Sequence, residues 1–229
     1  MLPSNLFLKE LLEDFKGRKS LAMKFLLPLV LLGPVVLAPI PVALKAGIFA
    51  FMILFLGVFG AAVGMVRMRE QKVTDRLAII PVRSSTLIMQ YVIANTVTDV
   101  LQLSIPLVLF LAVSTPTPVA FWIPLIYVLA VLAANLIGAL VALAASSSGE
   151  VHLYAIIVTL GIAVISGIFF ALPGGFNAIG LFIPFRSFSD ALLAGSGIQV
   201  GLGFLIAPLP VAILALAAVR LSGRFFKIK

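Results

Sequence analysis

Six apolar stretches, each about as long as a helix must be to cross a bilayer, fill most of this chain and leave few alternatives for its fold. They lie near Leu21–Ala38, Gly47–Val66, Leu87–Val113, Phe121–Ala145, Leu153–Leu172 and Ile198–Val219. The runs are continuous. A β-barrel would instead show short segments with apolar and polar residues alternating. Hydrophobic residues make up 62% of the chain and charged residues 10%. A water-soluble domain carries about 25% charged residues and could not cover its core with so few. The expected fold is an all-α polytopic membrane protein, one membrane domain over residues 1–229.

Ahead of the first span, Leu6–Phe15 places Phe7, Leu8, Leu11, Leu12 and Phe15 on one helical face and Lys9, Glu10, Glu13, Asp14 and Lys16 on the other. Residues 1–20 are therefore expected to hold an interfacial amphipathic helix that lies on the membrane. No cleavable leader is expected, because the first apolar run follows this mixed-charge segment without a small-residue cleavage site.

Fourteen of the sixteen basic residues fall on one side of the expected topology, before or at the opening of span one, between spans two and three, and after span six. Only Lys45 and Arg186 fall on the other. This asymmetry predicts a cell-membrane protein with both termini cytoplasmic. A net charge of +8 could suggest nucleic acid binding, but the charges sit at segment ends and follow topology, so no nucleic-acid partner is expected.

The longest polar stretch between two spans is Arg67–Thr86, RMREQKVTDRLAIIPVRSST, with five basic residues and two acids. So charged a loop in so apolar a chain must face water, on the basic, cytoplasmic side. On the opposite side, residues 173–197 begin Pro-Gly-Gly, break at Pro184 and end in Gly195-Ser196-Gly197. The pieces Phe176–Ile183 and Phe185–Leu193 are too short to span and are expected as two short helices dipping into the outer leaflet.

The third span carries a polar stripe: Tyr91, Asn95, Asp99 and Gln102 share one helical face. Asp99 would lie about 18 Å from the cytoplasmic edge. An ionised carboxylate at that depth costs several kcal/mol, so Asp99 must face protein, hold a proton or meet water. The stripe reads either as a translocation pathway or as hydrogen-bonding glue between helices. In the fourth span Ala134, Gly138 and Ala142 recur every four residues, which lets another helix approach closely, and Asn135 sits beside them.

Enzymatic apparatus is not visible. With no cysteine and one histidine, His152, a metal site is not expected. There is no Gly-x-Ser-x-Gly elbow, no His-Glu-x-x-His and no Walker A pattern.

The layout resembles the permease subunit of type-2 ABC exporters. The family's loop between spans two and three has an acid, a spacer, Gly-Thr, a leucine, then Pro and a small or β-branched residue. Glu70, Thr74, Leu77, Pro81 and Val82 match that pattern, with Val73 in place of the glycine. The short outer pieces 176–193 are similar to the family's two outer helices.

The resemblance implies a transport subunit, not an enzyme, paired with a second permease copy in the membrane lipid. A separate ABC-type ATPase, which holds the ATP and Mg, would dock on residues 67–86. It implies coupling through Arg69, Glu70, Thr74, Asp75, Arg76, Leu77, Pro81 and Val82. The translocation pathway would be lined by Tyr91, Asn95, Asp99 and Gln102, and the cargo would be a hydrophobic or amphipathic small molecule or lipid-like substrate. The competing expectation is a self-contained channel or ion-coupled carrier, for sodium for example, that uses Asp99. A carrier of that kind often shows paired broken helices in two repeats, and none is visible.

Overall fold

The computed structural model describes residues 18–71, 83–114, 122–170, 173, 179–180, 182–194 and 205–224. The expected interfacial helix Leu6–Phe15, loop residues 72–82 and half of Phe176–Ile183 lie outside the described residues.

Among the described residues the chain forms seven α-helices and no strand. They are α1 (Arg18–Leu37), α2 (Val42–Glu70), α3 (Ser84–Ser114), α4 (Trp122–Ala144), α5 (Ser148–Ser166), α6 (Pro184–Ala194) and α7 (Pro208–Leu221), followed by a 3-10 turn at Ser222–Arg224. Four helices are long and apolar enough to cross a membrane: α2, α3, α4 and α5. The apolar parts of α1 and α7, Phe25–Leu37 and Pro208–Leu221, are shorter. At 1.5 Å per residue they reach about 20 Å, against a hydrocarbon core of about 30 Å.

Helix ends depart from the expected spans for local reasons. The second span continues to Glu70 instead of ending at Val66, because no glycine or proline intervenes and Arg67 and Arg69 suit the negative end of the helix. Arg67, Arg69 and Glu70 are thus helical. The fifth span stops at Ser166, short of Leu172, because Gly167 turns left-handed (φ 66°) and donates back to Val164 O. Proline opens both α6 and α7 at the first-turn position, where its missing N–H costs nothing. Of the sixth span, expected from Ile198, residues 198–204 lie outside the described residues, and α7 runs from Pro208.

The core is built around α2 against α4, the most extensive helix contact among the described residues. The small stripe of α4 meets α2 there. A Cβ added to Gly138 would lie 2.5 Å from Val58 O and 2.9 Å from Ala61 Cβ, so the two backbones nearly touch. This is the small-residue packing the α4 stripe predicts, with α2 as the partner. α6 folds back against α2 and α4, where Phe188 lies 5.8 Å from both Phe49 and Tyr127. α1 rests mainly on α3, and α5 mainly on α2.

Candidate functional site

Two groups of polar side chains stand out in this apolar bundle. One lies where α2 ends. Arg69 Nη2 donates to Ala142 O at 2.6 Å and to Ala145 O at 2.7 Å. Those carbonyls belong to the last turn of α4 and the residue after it, which have no helical partner of their own. The next residue, Glu70, accepts from the backbone N–H of Ser148, the first residue of α5, at 3.1 Å. A cation thus meets the negative end of α4 and an anion meets the positive end of α5. The turn between them, residues 145–147, is braced from within. The Ser147 side chain accepts from Glu150 N–H, and Glu150 Oε2 accepts from Ser146 N–H at 2.7 Å. This differs from a capping box only in that the glutamate reaches the amide of Ser146, one residue before the N-cap Ser147. Of the residues expected to couple to an ATPase, Arg69 and Glu70 are placed here. Thr74, Asp75, Arg76, Leu77, Pro81 and Val82 lie outside the described residues.

The second group surrounds Asp99, the central residue of the 31-residue α3. Gln102 Nε2 donates to Asp99 Oδ1 and Asn135 Nδ2 donates to Asp99 Oδ2, both at 2.8 Å. Asn135 is fully buried, and its Nδ2 also reaches Val131 O. The carboxylate therefore sits between α3 and α4 inside the protomer, held by two amides. Asp99, Gln102 and Tyr91 are buried, and Tyr91 packs its hydroxyl against Gly64 of α2. Asn95, one turn from Asp99, is half-buried, with its Nδ2 shielded and unpaired among the described residues. The Oδ1 of Asn135 is likewise unpaired.

Sequence reasoning took Asn135 as a neighbour of the packing stripe and missed it as the partner of Asp99. The missing information was which helix α4 faces. It also missed the grip on the α4–α5 turn, although the Ser147-x-x-Glu150 spacing marks a helix start and could have located that turn.

An aromatic row runs along α2, half-buried at Phe51, Phe55 and Phe59 and exposed at its two ends. It passes from Phe169 to Phe51 (5.5 Å), Phe55 (6.1 Å), Phe59 (4.4 Å) and His152 (6.4 Å). His152 Nδ1 lies 2.6 Å from Ser148 O, so the ring is anchored on α5. Among the described residues no cluster of histidine, aspartate or glutamate is placed to hold a metal ion.

A family model described as ABC-2 family transporter protein matches residues 43–219. No curated protein matches the chain.

Proposed function

The chain belongs to the ABC-2 transporter family, and on that premise we propose that it is the permease subunit of an ATP-driven exporter with six membrane spans. α1 and α7 complete the six with flanking residues. The basic end of the bundle, with both chain termini, faces the cytoplasm. A second permease copy pairs with it in the membrane. A separate ABC-type ATPase, holding ATP and Mg, docks on the loop after α2.

The observation that carries this reading is the way α2 ends. A crossing helix runs without a break into the charged loop and grips the start of α5 on the way. A stiff element of that kind can pass a push from outside the membrane into it. Thr74, Asp75, Arg76, Leu77, Pro81 and Val82 make the contact with the ATPase. The charges at 75 and 76 set its register.

The cargo is a hydrophobic or amphipathic small molecule, or one resembling a lipid. The half-buried aromatic row on α2 supports that class, since such rings offer apolar area and stacking faces. The pathway passes Asn95, with Tyr91, Asp99 and Gln102 behind it as polar backing.

The test is purification from native membranes. The intact chain brings down a subunit with a Walker A sequence, and the double reversal Asp75→Arg with Arg76→Glu loses it. Transport by the purified chain with no ATPase present would instead support an ion-coupled carrier built on Asp99.

A further inference from the structure

We propose that Arg69 and Glu70 are positioning residues that carry movement of the loop into α5 by gripping the α4–α5 turn, and are not themselves the ATPase contact. This rests on the reading that the loop docks an ATPase. The two residues are adjacent on a helix, so their side chains leave it about 100° apart. That divergence lets them reach two different helix ends. Arg69 holds the last carbonyls of α4, and Glu70 holds the first amide of α5. Each bond is charge-assisted, and each charge has the sign its helix end favours. Arg69 is half-buried against the end of α4, and Glu70, though exposed to the surroundings, is engaged by Ser148 N–H.

The turn they hold is itself braced against α5, since Glu150 Oε2 accepts from the Ser146 amide of the turn and Ser147 Oγ accepts from the Glu150 amide of the helix. A displacement of Glu70 thus arrives at the first turn of α5 with little slack. α5 is free to follow. It rests chiefly on α2 and only lightly on α4, and Leu153, Ile157, Leu160 and Val164 are more than half exposed within the protomer. Glu70 joins Gln71 and then the loop directly, so the lever arm is one residue long.

The chain has no cysteine, so a single introduced thiol reports alone. An environment-sensitive fluorophore at Leu153→Cys reads α5 in the purified permease–ATPase complex as ATP is added. In Arg69→Gln and Glu70→Gln the ATPase still co-purifies and still hydrolyses ATP, but the ATP-driven fluorescence change falls about tenfold or more, as loss of a charge-assisted hydrogen bond implies. Arg69→Lys, which keeps the cation, retains a larger share of the signal than Arg69→Gln. Glu70→Asp, which keeps the charge but withdraws it from Ser148, loses signal without loss of folded protein. A merely structural role would alter the fluorescence before ATP is added and lower thermal stability in step with it. Loss of ATPase binding in Arg69→Gln and Glu70→Gln would overturn the proposal, since the residues would then be the docking contact. An undiminished ATP response in both would overturn it as well. If the chain with unaltered Arg69 and Glu70 fails to bind an ATPase, the function proposed above fails first, and this inference with it.

Discussion

Three basic side chains each end on the C-terminus of a helix. Lys45 Nζ donates to Val36 O near the end of α1 at 2.6 Å. Arg69 holds the end of α4, and Arg186 Nη1 donates to Ser166 O and Gly167 O at the end of α5 while its Nε pairs with Asp190. In hydrocarbon an unpaired carbonyl costs several kcal/mol, so a cation at a helix end satisfies both the orphan carbonyls and the negative end of the dipole. Lys45 and Arg186 are also the two basic residues outside the majority group. Each sits against the negative end of a helix, and Arg186 also pairs with Asp190. The sequence exposes their charge and their position near segment ends, but not the carbonyls they reach, which belong to the end of the preceding membrane helix. Lys45→Met is expected to destabilise the folded protein by about 1–3 kcal/mol, the cost of one buried group left unpaired, read by thermal unfolding in detergent. At Asp99 the polar stripe was legible and its partner was not. Asp99→Leu strands the amides of Gln102 and Asn135 and is expected to cost about 1–3 kcal/mol. Asp99→Asn is expected to cost less than about 1 kcal/mol, because the Asn135 amide can turn and offer its unpaired Oδ1 to the new N–H. Comparing the two by the same unfolding assay separates a packing role from a need for charge.

At the scale of elements, the apolar runs placed α3 and α4 to within a few residues, and the proline at 184 placed α6. These were legible because run length and proline position are local properties. Where a helix stops was less so. Gly167 ends α5 inside an apolar run, and a glycine there reads equally well as a helix interior until its φ is known. Gly167→Ala is expected to cost about 1 kcal/mol for a side chain held in the left-handed region. The α4 stripe Ala134, Gly138, Ala142 announced a close neighbour without naming it, because periodicity defines a face and not its partner. Gly138→Leu, which drives a side chain into Val58 O and Ala61, is expected to destabilise by about 1–3 kcal/mol and to pry α2 from α4. The same substitution at Gly161, where an added Cβ meets nothing within 4 Å, is expected to leave stability unchanged. Parallel unfolding curves check both.

For the molecule as a whole, composition pointed to an all-α membrane protein, and the described residues form helices and no strand. Membership of the ABC-2 transporter family rests on the family model that matches residues 43–219. The number of crossing helices is where length and sequence part. α1 and α7 carry apolar stretches shorter than the bilayer core, and in the six-span reading neighbouring residues make up the difference. Thiol labelling tests that reading without a substrate. With no native cysteine, Gln71→Cys is expected to react with an impermeant maleimide only from inside, and Pro173→Cys only from outside. The most direct measurement places a photo-crosslinking amino acid at Leu77 of the full chain in its native membrane. Irradiation is expected to join it to a Walker-motif ATPase subunit, with a yield that changes when ATP is added. Adducts with lipid alone, or with outward-facing partners, would contradict the claim that this permease is driven from its loop.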